Sequence, residues 1–237
     1  MDEIKELTKK LPTWEKLAKQ IIWTQLGIIE NQTVVDFGSG RGVTADFLAR
    51  KNHVIAIEPS EEMLKNAVKN HPYRQIHGGM DELKNLDNES ADVVICHNVL
   101  EYAPDSRKEI VREFCRVLRK NGTLSVVKHN RYGRVMQMAV LLNQFKTAND
   151  LLDGKNSVAS QFGEIFYYED DDIVKWGKDL QIERTYGVRA FWDLQQNQEI
   201  QTDEEWQNKM TELELRVSTM PEFRQIAFFH HIILKKQ

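Results

Sequence analysis

The segment Val34-Val35-Asp36-Phe37-Gly38-Ser39-Gly40-Arg41-Gly42 sets an acid just ahead of three alternating glycines. Glycines remove the Cβ atoms that keep a ligand off the backbone, and they permit the positive φ of a tight turn. A helix beginning behind such a turn offers backbone N–H groups that have no partner within the helix. The spacing is D-x-G-x-G-x-G. It is not the G-x-G-x-x-G of dinucleotide sites, whose third glycine position holds Val43. Asp36 can hold a ligand ammonium directly or orient the loop around it. Glu58 closes the next strand pattern, where a carboxylate can accept both hydroxyls of a ribose. An ammonium at one end, a ribose at the other and no phosphate clamp between them fit S-adenosylmethionine better than NAD. Asp36, Gly38, Ser39, Gly40 and Glu58 are the candidate cofactor contacts.

A second set of residues is cationic. Lys128, His129, Arg131 and Arg134 follow the fifth strand pattern, and Arg189 follows the sixth. An arginine fork binds a carboxylate or a phosphate at two points. Lys128, Arg131 and Arg189 are therefore the candidates for holding an anionic acceptor. A carboxylate acceptor is already ionised at pH 7, so transfer to it needs no general base, and catalysis rests on alignment and desolvation. Tyr132, Phe191 and Trp192 lie beside these charges, an arrangement suited to stacking a splayed base. The plainer reading of the same residues is solvated surface charge and aromatic core.

Other chemistries lack their residues. After the fourth strand stand His97-Asn98-Val99-Leu100, not the D-P-P-Y or N-P-P-Y of adenine amino-group methylation. Cys96 falls within a strand and Cys115 within a helix, so neither suits a nucleophile for pyrimidine C5 methylation. His97 reads as a cofactor contact or as a general base for a hydroxyl acceptor. His230 and His231 are adjacent on a strand, so their side chains point to opposite faces, and no metal site is expected.

These residues need a frame. Apolar spacing predicts a helix over 13–29, with Thr13 as N-cap and Trp14, Leu17, Ile21 and Ile28 on one face. Short β-branched runs predict strands at 33–37, 53–58, 74–77, 91–97 and 123–129. Helices are expected at 43–50, 60–70 and 105–120, with a polar loop after the third strand. Arg116, Arg119 and Lys120 read as dipole partners of the last of these helices. Strands alternating with helices imply a parallel sheet with right-handed crossovers. Beyond it come a helix at 131–145, a polar insertion at 146–164, helices at 169–179 and 201–217, and strands at 181–188 and 224–235. The expected organisation is a single domain over 1–237, with a helical cap at about 1–30 and an insertion or lid around 131–164.

The 237 residues carry 32 Lys and Arg against 36 Asp and Glu, a net charge of −4 that argues against indiscriminate nucleic-acid binding. The charge is uneven, since no acid occurs between Phe114 and Asn149. Two cysteines are too few for a disulfide framework or a zinc site. No apolar run approaches the roughly 20 residues of a membrane helix. The N-terminus, MDEIKELTKK, is charged where a signal peptide would be apolar, so a cytoplasmic protein is expected.

On VVDFGSGRG, Glu58 and DVVICHNVLEY, the chain resembles the class I S-adenosylmethionine-dependent methyltransferases over about 30–190. That resemblance implies an α/β Rossmann-like seven-stranded sheet in the order 3-2-1-4-5-7-6, with the last strand antiparallel and helices on both faces. It also implies S-adenosyl-L-methionine as cofactor, with Met80 and Asp81 near the adenine and His97 in contact. A narrower resemblance is to the bacterial methyltransferase family that esterifies a carboxymethoxyuridine at the tRNA wobble position. It is carried by His97-x-Val99-Leu100-Glu101, Asn130, Gly133, Gly187-Val188-Arg189-x-Phe191 and Leu213-Glu214. One departure is an N-terminal arginine of that family, whose place falls near Ala18 here. The expected acceptor is a modified tRNA uridine; the alternative is a small molecule methylated at O or N.

Overall fold

The computed structural model describes Thr8, residues 11–159 and residues 163–237. The start of the expected cap and residues 160–162 of the expected insertion lie outside the described residues. Helix α1 (Thr13–Leu26) is followed by β1 (Thr33–Phe37), α2 (Val43–Ala49), β2 (His53–Glu58), α3 (Glu61–Lys65), β3 (Arg74–His77), α4 (Met80–Lys84) and β4 (Ala91–His97). Next come α5 (Arg107–Val117), β5 (Leu118–His129), α6 (Arg131–Met136), α7 (Phe145–Leu152), β6 (Ser157–Ala159) and β7 (Gly163–Ile165). The chain ends with α8 (Asp170–Trp176), β8 (Leu180–Val188), α9 (Glu204–Val217), α10 (Pro221–Arg224) and β9 (Phe229–Lys236).

Seven strands form one sheet in the order β3-β2-β1-β4-β5-β9-β8, with the final strand antiparallel. Strands β6 and β7 pair separately as an antiparallel hairpin. With that hairpin counted, this is the order the family resemblance implies. The chain divides into two compact units. One comprises residues 28–127, 168–184 and 232–237, and the other comprises residues up to 27, 128–167 and 185–231.

The first unit is built on parallel pairing, with Asp36 beside Ala56 of β2 on one side and beside Ile95 of β4 on the other. Val34, Val35, Val94, Ile95 and Cys96 are buried, as expected for strands covered on both faces. Phe37 meets Phe114 of α5 edge-on at 5.4 Å. Each such fully buried side chain contributes roughly 1.5–3 kcal/mol.

Three local departures from the sequence reading have visible causes. Helix α3 is capped as expected, with the Ser60 hydroxyl accepting from the Met63 N–H at 3.3 Å, but it stops at Lys65. The chain beyond is drawn off as a strap. The Val68 N–H donates to the Arg41 carbonyl, and Asn70 and the His71 N–H donate to buried Asp46. The expected polar loop contains α4, anchored by buried Leu83. Arg116 donates to the carbonyls of Leu83, Lys84 and Leu86, so it serves the carboxyl end of α4, not that of its own helix. Helix α5 ends at Val117 because Leu118 pairs with Ala91; the ladder resumes at Thr123 beside Val93, after a turn with Asn121 at φ 63.

In the second unit, Leu17, Ala18, Ile21, Ile22 and Trp23 of α1 are buried. Pro12, not Thr13, occupies the N-cap, and the helix stops at Gly27 with φ 76. Ile28 therefore lies past the end and is 89% exposed, outside the apolar stripe. The expected helix over 131–145 is α6 followed by a π-helical turn at Gln137–Leu141, and the run ends at Asn143 with φ 52. Helix α7 forms inside the expected polar insertion because Ala148 and Leu151 pack with Met138 into a small core of their own.

Candidate active site

The loop after β1 is shaped by its own hydrogen bonds. The N–H groups of Gly38 and Ser39 both donate to the Ile57 carbonyl, at 2.8 and 3.1 Å, and the Gly42 N–H donates to the Ser39 carbonyl at 2.9 Å. Gly38 has φ 72, and a Cβ there would overlap the Val99 side chain. Gly40 has φ 57, and a Cβ there would meet nothing within 4 Å, so the space beside it is open. Glu58 is only 6% exposed, yet its carboxylate accepts from the Gly40 N–H at 2.7 Å and the Ser60 N–H at 2.8 Å. The acid at the end of β2 thus turns toward the glycine loop, and each oxygen keeps acceptor capacity for a further donor. Asp36 is buried at 3% exposure. The Ser39 hydroxyl is buried with no hydrogen-bond partner. An open face at Gly40 and an unsatisfied buried hydroxyl beside it are features a bound cofactor would complete. These observations fit S-adenosylmethionine.

Around this crevice, the strap is tied down by Tyr73, whose hydroxyl donates to the Val68 carbonyl at 2.7 Å. Burial, then Asp46 and Asp36, push this phenol up to about 12, so it stays protonated and keeps donating. Gly79 opens α4 with nothing within 4 Å of a Cβ built there; half-buried Met80 and exposed Asp81 follow in the first turn. His97 closes β4, with Nε2 2.9 Å from the hydroxyl of fully buried Ser125. Cys96 is held well above the usual thiol range by burial, then by Glu101 and Asp36, so it carries no thiolate. Asn98 stands in the left-handed region at φ 56, its N–H bonded to the Val127 carbonyl at 2.8 Å. Its side-chain oxygen is buried without a partner. The sequence reading passed over it, although Asn is among the few residues that tolerate this conformation directly after a strand.

In the second unit, each of the three candidate cations has a partner. Arg189 follows β8 at φ 64 and is buried. Its Nε donates to Asp193 at 2.9 Å and its Nη2 pairs with the other Asp193 oxygen. Gln137 donates to the same carboxylate at 3.0 Å and in turn accepts from Arg134. The Arg189 guanidinium lies 4.7 Å from the Phe228 ring centre, 5.3 Å from Phe229 and 5.4 Å from Trp14. The strained turn is held by Glu214, 1% exposed, whose carboxylate accepts from three successive N–H groups, those of Ala190, Phe191 and Trp192. Burial raises the Glu214 carboxyl all the same. Arg131 donates to the carbonyls of Leu151 and Lys155 at 2.9 and 2.6 Å and stacks 4.5 Å from the Tyr167 centre. Lys128 is buried on β5. His129 beside it is pushed down to about 3, first by burial and then by Arg134, Arg189 and Lys128. Asp193 stands four residues beyond Arg189, a spacing that could have suggested the pair, whereas nothing in the sequence links the distant Gln137 to it.

Among the described residues, no group of three or more His, Cys, Asp or Glu is arranged to hold a metal, and no helix is long and apolar enough to cross a membrane.

Residues 35–126 match the methyltransferase domain family. No curated protein matches the chain by sequence. Solved structures do match, at identities that speak for the fold alone. A Haloferax volcanii protein assigned as a methyltransferase, solved with the Trm112 methyltransferase activator, is 14% identical with a TM-score of 0.61, over 99% of this chain and 94% of that one. A Mesorhizobium loti S-adenosylmethionine-dependent methyltransferase is 13% identical with a TM-score of 0.59, over 93% and 98%. Burkholderia thailandensis 1,6-didemethyltoxoflavin-N1-methyltransferase, with its substrate and S-adenosylhomocysteine bound, is 13% identical with a TM-score of 0.53, over 98% and 82%. The domain match spans β1 to β5 and the seven-stranded sheet has the strand order of the class I S-adenosylmethionine-dependent methyltransferases, so residues 35–126 carry a methyltransferase domain.

Proposed function

We propose that this methyltransferase esterifies a carboxylate, and that the carboxylate belongs to a modified wobble uridine of tRNA. The observation that carries the reading is the cationic surroundings of His129. Arg134 and Arg189 lie 5.9 and 4.7 Å from the Phe228 ring centre, and that ring lies 5.5 Å from His129, so cations gather on one aromatic face beside Lys128 and His129, an arrangement that favours an anion. Tyr132, 57% exposed, supplies an aromatic surface beside these charges of the kind that stacks an unpaired base.

In this proposal Asp36, Gly38, Ser39, Gly40, Glu58, Met80, Asp81 and His97 hold the cofactor. Asp36 takes the ammonium and Glu58 the ribose hydroxyls, while the glycines let the ligand approach the backbone. When bound, the cofactor supplies a sulfonium methyl group: as the new O–C bond forms the C–S bond breaks, and its electron pair stays on sulfur. Arg189, Arg131 and Lys128 attract and align the acceptor carboxylate, which attacks in its ionised form, so no residue need remove a proton. His97 then serves as a contact and not as a base. The single-domain organisation, with a cap at about 1–30 and a lid around 131–164, belongs to the same proposal, as does a cytoplasmic location.

A second reading, a small-molecule O- or N-acceptor, draws on the shared fold of the Burkholderia thailandensis 1,6-didemethyltoxoflavin-N1-methyltransferase. Nucleoside mass spectrometry of tRNA from a deletion strain separates the two. Loss of one methyl ester is expected, and an unchanged profile would leave the small-molecule reading standing. For the cofactor, calorimetry should show Glu58→Ala weakening S-adenosylhomocysteine binding about tenfold or more, since two loop N–H groups also lose their acceptor. Unaltered binding by this variant would remove Glu58 from the site.

A further inference from the structure

We propose that Asn98 is a cofactor-binding residue, its side-chain amide accepting a hydrogen bond from the α-ammonium of the amino-acid tail of S-adenosylmethionine. The proposal rests on the reading that the β1 loop and Glu58 form the cofactor crevice.

Backbone comes first. Asn98 is left-handed at φ 56, a conformation that Asn tolerates better than most residues and that its surroundings hold in place. Here the hold is the N–H bond to the Val127 carbonyl at 2.8 Å, which fixes the turn on the neighbouring strand. Val99, the next residue, packs onto the bare backbone of Gly38. His97, the residue before, is fixed through Nε2 to Ser125. The turn is pinned on both sides, yet nothing in these contacts requires an amide at position 98. Glycine would make the same turn at less cost.

Satisfaction comes second. The Asn98 side-chain oxygen has essentially no solvent exposure and no hydrogen-bond partner. A buried amide oxygen left so costs about as much as a lost hydrogen bond, so a ligand that supplies the missing donor gains from it.

Register comes third. Asp36 pairs beside Ile95 across β1 and β4, and these two strands are where the sheet order changes direction. Ligands of open α/β sheets sit past the carboxyl ends of the strands at this crossover. Past the strand ends Gly38 packs against the Val99 side chain, so the turns that carry Ser39 and Asn98 meet there. Both carry a buried side-chain oxygen with no partner. An amino-acid tail offers complementary groups for such a pair, with its carboxylate accepting from the Ser39 hydroxyl and its ammonium donating to the Asn98 amide oxygen. The adenosine end of the same ligand belongs near Glu58 and Gly79, away from Asn98.

Asn98→Gly tests this, because glycine keeps the left-handed turn while removing the amide. Binding of S-adenosylhomocysteine, which has the tail, is measured by calorimetry beside 5′-methylthioadenosine, which lacks it. The expected result is S-adenosylhomocysteine weakened about tenfold or more, 5′-methylthioadenosine changed less than about twofold, and an unchanged melting temperature. Unchanged S-adenosylhomocysteine affinity would overturn the assignment. Equal weakening of both ligands would also overturn it, placing the amide in service of the loop and not of the tail. If wild-type protein failed to bind S-adenosylhomocysteine, or if Glu58→Ala left its affinity intact, the crevice itself would be wrong, and Asn98 would fall with it.

Discussion

Acid should unfold this protein through two histidines before its carboxylates matter. His129 and His231 are both held down to about 3 by burial, His129 with the added push of three cations. His231 is fully buried on β9, its Nδ1 2.8 Å from the Gln25 side-chain oxygen, and Tyr186 lies 5.9 Å away, centre to centre. In the unfolded chain each imidazole titrates near its ordinary value of about 6.5. A folded value below the unfolded one means that the stabilisation is fully present above about pH 6.5 and is lost as the pH falls toward the folded value. Below pH 6.5 each histidine costs about 1.4 kcal/mol per pH unit, because the unfolded chain takes up a proton that the folded one refuses. Between pH 7.5 and 5.5 the pair should remove about 2.7 kcal/mol, a large share of the roughly 5–15 kcal/mol typical of a folded domain. Urea unfolding followed by tryptophan fluorescence across that range measures it directly. His129→Phe keeps an aromatic ring against Phe228 and Phe229, whose centres lie 5.5 and 4.8 Å away, while removing one of the two protons. It should halve the slope. A stability flat between pH 7.5 and 5.5, or a slope that this variant leaves untouched, would refute the reasoning.

Glu214→Ala should destabilise by about 3 kcal/mol or more, since three successive buried N–H groups lose their acceptor. Glu214→Gln, which keeps one oxygen and pays no desolvation of a charge, should cost about half as much, and chemical denaturation distinguishes them. Gly133→Ala should lower the melting temperature by several degrees, at a cost of about 2–3 kcal/mol. A Cβ there would overlap the Ala227 carbonyl oxygen and lie 2.6 Å from both its carbon and the Phe228 Cα, backbone atoms that cannot swing aside. Arg189→Ala should reduce turnover while sparing cofactor affinity. Asp193→Asn should do the same more mildly and also cost about 3 kcal/mol of stability, because it leaves a buried guanidinium without its counter-charge. Weakened cofactor binding in either variant would show that this pair has been given the wrong role.

The parallel half of the fold was legible because its signals are local. Each strand is a short β-branched run, and Val93–Cys96 within β4 is apolar throughout because the strand is covered on both faces. The glycine loop was legible for the same reason, since Gly38 and Gly40 are needed for their positive φ where they stand. What escaped notice depended on partners distant in sequence. Helical spacing over 60–70 says nothing of Asp46, which captures Asn70 and His71 and ends α3 early. The polarity of 78–90 hides α4 because the donor for its last carbonyls is Arg116. Among the cations, sequence could identify Arg189 by type and position. The spacing of four residues to Asp193 hints at its partner, but sequence could not show that the distant Gln137 fixes the same carboxylate.

The start of α6 is fastened unusually well. Asn130 caps the helix through the Tyr132 N–H, gives both amide protons to the carbonyls of Gln225 and Ala227, and donates its own N–H to the Phe228 carbonyl. Gly133 then presses bare backbone against Ala227. A rod welded at one end can only pivot beyond the weld. The widened π-helical turn at Gln137–Leu141 and the left-handed Asn143 lie beyond it, but Arg131 beside the weld donates to the Leu151 carbonyl, so α7 is moored to the same fixed end.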